Sequence, residues 1–197
     1  MCCNAIDVDA AIDTLLIGYG NTLRSDDGVG PVVVEYLRKS LASADTAGVV
    51  CRSEFQLTPE LADLVARAGR VIFIDASVGL PPGRVSVRRV TAQAAAGSMG
   101  HQFLPAQLLE LADLAFGARP QAWVAAIGVQ SLAFGQGLTA PVAHAARRLT
   151  EHLRHYLSRQ RRKSPDWYPG NFGPARTAAN QQQCGQAKRE RMFYVRR

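Results

Sequence analysis

The sequence predicts an α/β fold: one domain whose twisted, mostly parallel five-stranded sheet is covered by helices on both faces. Three observations carry this expectation. Short continuous apolar runs, of which TLLIGY and VIFIDA are the clearest, read as strands buried on both sides. These runs alternate with segments of helical spacing, the pattern of a parallel sheet with crossover helices. The composition, 47% hydrophobic and 20% charged over 197 residues, suits a single globular domain that buries a core without disulfides.

The elements follow in order. Thr14–Tyr19 is the first strand, and Gly20-Asn21 ends it. Over residues 28–41, Val29, Val32, Val33, Tyr36 and Leu37 recur at helical spacing, with Arg38 and Lys39 where a helix dipole favours cations. Val49–Arg52 is a brief second strand. Thr58-Pro59-Glu60 supplies a cap, a first-position proline and an early acid for a helix reaching about Ala68. Val71–Ala76 is a central strand carrying Asp75 at its end. Pro81-Pro82-Gly83 turns the chain into Arg84–Val90, a less buried, edge-like strand. Residues 92–100 read as a small-residue loop, 105–115 as a Leu-rich helix and 123–127 as a buried strand. A helix over 140–157 closes the body, with Val142, Ala146, Leu149, Leu153 and Tyr156 as its stripe.

Charge divides the chain into a lead (1–13), an α/β body (14–157) and a tail (158–197). The formal net charge is +7, yet residues 1–157 hold 13 basic and 14 acidic residues, while residues 158–197 hold 10 and 2. The basic character therefore belongs to the tail, whose Pro, Gly, Gln and Asn content predicts disorder. Cys2, Cys3, Cys51 and Cys184 form no CxxC pair, which argues against a zinc or disulfide framework and for a reducing compartment. No stretch approaches 18 consecutive apolar residues and no signal peptide is visible, so a cytoplasmic location is expected.

The densest polar cluster, GYGNTLRSDDGVG over residues 18–30, falls between the first strand and the first helix, where open α/β sheets place their ligand crevice. It is no dinucleotide fingerprint, because Leu23 stands where the third glycine would be needed, and no P-loop, because Gly-Lys-Ser/Thr is missing. Taken singly, the polar residues have ordinary structural readings. Asp26 and Asp27 can cap a helix, Asp75 can form a turn, and His101 can be a surface loop imidazole. His144, His152 and His155 lie on the last helix and read as surface residues. Together, however, Asp27, Asp75 and His101 all follow strand ends that face one crevice. Two carboxylates and an imidazole suit a divalent metal such as nickel, zinc or iron. A dyad of the aspartic-protease kind fits less well, since two matching acid turns are absent.

The run GYGNTLRSDDGVG, the strand VIFIDA and the histidine of GHQ resemble the nickel–iron hydrogenase maturation endopeptidases over about residues 14–157. The segment Gln56-Leu-Thr-Pro-Glu-Leu-Ala62 is similar to the branch serving bidirectional, NAD-linked hydrogenases. The resemblance implies an endopeptidase, aspartic-type by family grouping, that removes the C-terminal extension of the hydrogenase large-subunit precursor after nickel insertion. It implies that Asp27, Asp75 and His101 are the catalytic and metal-contacting residues, with Asp27 where some members carry Glu. Nickel is then borne by the substrate and is not a permanent cofactor. Gly20 and Asn21 are candidate substrate-binding residues, offering backbone or amide donors to the peptide. The tail has no counterpart in the family pattern.

A second reading is a non-catalytic α/β domain holding a nucleotide or other small ligand, with a nucleic-acid-binding tail. Two adjacent carboxylates in the first loop repel phosphate and weigh against it. The tail's composition fits a solvated extension better than a nucleic-acid site.

Overall fold

A computed structural model describes residues 12–41, 48–93, 103–135 and 137–160. The five strands are β1 (Ile12–Tyr19), β2 (Val49–Glu54), β3 (Ala68–Ser77), β4 (Val85–Val90) and β5 (Gln121–Gly128). The helices are α1 (Val29–Ser40), α2 (Leu61–Ala66), α3 (Pro105–Phe116) and α4 (Ala140–Gln160), with a 3₁₀ turn at Ser25–Gly28 ahead of α1. The strand order is β2-β1-β3-β5-β4. β4 alone is antiparallel, and it closes the edge beside β5. The mostly parallel sheet expected from the sequence is the sheet observed.

Alternation along the strands sorts the core. Leu15, Ile17, Val71, Phe73 and Val124 pack with Leu61 and Val65 of α2 and with Leu108, Leu109 and Ala112 of α3. The opposite parity, including Leu16, Ile72, Ile74 and Ile127, is equally buried. The apolar stripes of α1 (Val29, Val33, Val34, Leu37) and α4 (Val142, Ala146, Leu149, Leu153) are buried as well. Both sheet faces are thus covered, which is why the strand runs are apolar without alternation. Among the described residues no helix is long and apolar enough to cross a membrane.

Several element ends differ from expectation. α2 is shorter than predicted: residues 58–60 form a turn, with Leu61 N–H on Thr58 O at 3.2 Å, and Ala68 already belongs to β3. The reason is long-range pairing. Ala68 aligns with Ile12, and Arg70 aligns with both Thr14 and Gln121, so the ladder claims residues that local propensity leaves helical. β1 begins at Ile12, two residues into the predicted lead, where Ile12 N–H bonds Arg67 O at 3.2 Å. α4 continues three residues past Leu157 to Gln160. The predicted lead before Ile12, the loop over 94–102 with His101, and residues 161–197 of the basic tail lie outside the described residues.

The first turn of α1 sits directly on the strand ends. A Cβ on Gly30 would lie 2.5 Å from Ile74 O and 2.6 Å from Tyr19 O, and a Cβ on Gly18 would collide with Gly30 O. Two glycines therefore let helix and sheet backbones touch. Gly30→Ala is expected to destabilise by about 2–3 kcal/mol, because overpacking against immovable backbone outweighs the roughly 1 kcal/mol that Ala gains in a helix. Denaturant titration checks this, and equal or higher stability would contradict it.

Candidate active site at the carboxyl edge of the sheet

Parallel pairing brings Tyr19 and Asp75 side by side. Gly18 aligns with Ile74, so the next residues, Tyr19 at the end of β1 and Asp75 near the end of β3, project to the same face. The Tyr19 hydroxyl donates to Asp75 Oδ2 at 2.7 Å, and the Ala76 N–H donates to Asp75 Oδ1 at 2.8 Å. Both carboxylate oxygens are held, so the side chain has one orientation. Burial pushes the Asp75 pKa up, the hydrogen bonds from Tyr19 and Ala76 pull it back, and the charge of Asp27 adds to the rise. Burial, together with the adjacent Asp75 charge and hydrogen bond, pushes the Tyr19 phenol far above its ordinary value, so it stays a proton donor.

Asp27 enters from the 3₁₀ turn after β1. Its Oδ2 accepts the Asn21 N–H at 2.9 Å, and its other oxygen accepts nothing from the described residues. Asn21 is committed largely to its own loop, with its Oδ1 accepting Leu23 N–H at 2.9 Å. The Gly20 N–H is taken by Glu54 O at 3.2 Å. Gly20 has φ 137°, and Asp27 O occupies the place of a Cβ, so the residue must lack a side chain. The backbone groups of these two positions are thus largely spent within the protein, and the space beside Gly20 is filled by Asp27.

The two adjacent acids have opposite roles. Asp26 is fully buried and accepts four hydrogen bonds: from Gln130 N (2.9 Å), Ser131 N (2.9 Å), Thr139 N (2.7 Å) and Thr139 Oγ1 (2.9 Å). Burial works to raise its pKa, but these donors outweigh it and hold the carboxyl below its ordinary value. Neither acid caps α1 through its side chain. Asp26 instead ties the first loop to the segment between β5 and α4, while Asp27, among the described residues, accepts only from the Asn21 N–H within its own loop.

Asp27 and Asp75, two of the three predicted site residues, lie after β1 and near the end of β3 at the same edge of the sheet, and the Asp27 charge is felt at Asp75. His101, the third, lies outside the described residues. Among the described residues, no group of three or more His, Cys, Asp or Glu side chains is placed to hold a metal. Tyr19 and Asp26 were not singled out from the sequence. Equal strand-end position and parity with Asp75 is the signal that finds Tyr19. The partners of Asp26 are more than 100 positions away and leave no local trace.

The fold is shared with solved hydrogenase maturation proteases. The chain matches the [NiFe] hydrogenase maturation protease HycI from Thermococcus kodakarensis with a TM-score of 0.61 and 17% identity, covering 76% of this chain and 95% of that one. It matches the hydrogenase maturating endopeptidase HybD from E. coli with a TM-score of 0.61 and 22% identity, over 76% and 94% of the two chains. A hydrogenase 2 maturation peptidase from a Thaumarchaeota archaeon is 26% identical, with a TM-score of 0.54, over 74% and 98%. No protein-family model matches the chain, and no curated protein matches it by sequence. These solved structures show that the chain shares the fold of hydrogenase maturation proteases, the fold that the family resemblance implies.

Proposed function

We propose that this protein is an endopeptidase that removes the C-terminal extension of a nickel–iron hydrogenase large-subunit precursor in the cytoplasm. The observation that carries the reading is the placement of two acids at the carboxyl edge of this fold, Asp27 in the turn after β1 and Asp75 near the end of β3. The structural likeness to maturation endopeptidases supports the reaction class.

In this reading nickel arrives as part of the substrate. Carboxylate oxygens of Asp27 and Asp75, with the His101 imidazole, are hard-to-borderline donors suited to such an ion. They inspect the loaded metal and seat the scissile segment beside it. Tyr19 and the Ala76 N–H hold Asp75 in one rotamer, so the geometry tested by the substrate is set in advance. The nucleotide-binding alternative gains no support, since the crevice is lined by acids.

The experiment is the mass of a large subunit co-expressed with and without this protein, in medium with and without nickel. Loss of one discrete C-terminal peptide, requiring both the protein and nickel, is the expected result. A precursor of unchanged mass under all four conditions would refute the reading.

A further inference from the structure

Large apolar side chains are exposed at the same edge of the sheet as the candidate acids. Leu23 is 58% exposed and Phe134 is 86% exposed. Neither stands on a loose loop. Leu23 O accepts the Gly135 N–H at 3.0 Å, Ser25 N–H donates to Gly135 O at 3.0 Å, and Ser25 Oγ donates to Gly137 O at 3.2 Å. The Arg24 guanidinium lies 5.8 Å from the Phe134 ring centroid, and its Nε donates to Leu132 O at 3.2 Å. Beneath both loops lies the fourfold-bonded Asp26 carboxylate. Ser25 is held at φ 44°, a left-handed conformation that no other non-glycine residue adopts among the described residues.

A pocket of about 250 Å³ opens between these joined loops, lined by Thr22, Leu23, Ser25, Val32, Gly137 and Leu138 together with Gly28. Every lining residue is uncharged, so the pocket offers nothing to pair a charged group. Its volume is below the roughly 300–1,000 Å³ of pockets for drug-sized molecules, and it suits an aliphatic side chain or two. Asp27 does not line it, but Ser25 and Gly28, which do, stand within two residues of Asp27 in one 3₁₀ turn. A buried charge, a strained residue and a two-loop ladder thus fix an apolar surface in water, at a set distance from a candidate catalytic acid.

We propose that this pocket, with Leu23 in its lining and the exposed Phe134 on the loop joined to it, is a docking subsite that takes an apolar segment of the protein substrate beside Asp27. The inference rests on the endopeptidase reading and names what part of the substrate is held. A peptide seated there has its neutral side chain enclosed and its backbone led across the Asp27 loop. The surface sets affinity, while the acids set the rate.

The test uses the full-length chain and an uncleaved large-subunit precursor. Kd for the precursor is measured for wild type, Leu23→Asp, Phe134→Ser and, as a control on the far end of α3, Phe116→Ser. The Leu23 and Phe134 side chains are exposed, so these variants fold, and circular dichroism verifies that. The expected result is a Kd weakened about tenfold or more by each of these two substitutions, unchanged by Phe116→Ser, with kcat within about twofold of wild type. Unchanged Kd in both Leu23→Asp and Phe134→Ser, or an equal loss in the Phe116 control, overturns the subsite. A wild type that binds precursor without cleaving it would sink the endopeptidase reading alone, and the Kd comparison would still decide the subsite.

Discussion

Asp27→Ala and Asp75→Asn should each slow precursor processing by about 100-fold or more while leaving the fold in place. The two acids sit where β1 and β3 deliver their last residues, and neither contributes to the core. Asp27 loses only one hydrogen bond on truncation, that from the Asn21 N–H, at a half-buried position. Asp75→Asn keeps the shape of the side chain and an oxygen to accept one of its two donors. It removes the charge that a metal-bearing substrate would meet. Tyr19→Phe leaves the Asp75 charge intact and removes only its orienting hydroxyl, so a smaller loss of about tenfold is expected. Single-turnover processing of nickel-loaded precursor measures all three. Wild-type rates in both acid variants would remove Asp27 and Asp75 from the reaction. A Tyr19→Phe loss as large as that of Asp75→Asn would mean that the phenol itself takes part.

The site was legible in the sequence to the extent that it depends on strand ends. VIFIDA announces a buried strand finishing in a carboxylate, and GYGNTLRSDDGVG announces a tight strand-to-helix crossing. Parallel pairing then does the rest. What could not be read is what long-range contacts decide. The predicted helix reaches about Ala68, but Ala68 opens β3 because its ladder partner Ile12 is distant in sequence. From the residues alone, Asp26-Asp27 reads as a helix cap beside a first-turn acid, and only the family resemblance points to Asp27. The 3₁₀ turn rotates them apart, so one is buried under Thr139 and the other, half-buried, stays within the first loop. No property of the dipeptide tells which is which. The antiparallel direction of β4 is likewise set by its pairing with β5, although its exposed Arg88 and Arg89 did mark it as an edge.

The difference between these acids should be largest in stability. Asp26→Ala is expected to destabilise the protein by about 3–5 kcal/mol, because it leaves four donors around a buried site without their acceptor. That is a large fraction of the roughly 5–15 kcal/mol that holds a domain folded. Asp26→Asn is the sharper probe, since it keeps the volume and removes the charge. The folded pKa of Asp26 lies below its unfolded value, so its contribution is complete above the unfolded pKa of about 4 and is lost as pH falls through the folded pKa. The gap between wild type and Asp26→Asn in urea titrations should be wide at pH 7 and shrink below about pH 4. A gap of constant width from pH 7 to pH 3 would show that the carboxylate charge contributes nothing. Asp75 has the opposite sign. Its folded pKa is raised, so its ionised form opposes folding at neutral pH, and its favourable contribution is present only in acid, below the unfolded pKa. Asp75→Asn should therefore be neutral or stabilising at pH 7 while abolishing processing, and a marked loss of stability there would assign Asp75 a structural role. One substitution type, made at two carboxylates of the same edge, thus separates the residue that holds the loops from the residue kept for the substrate.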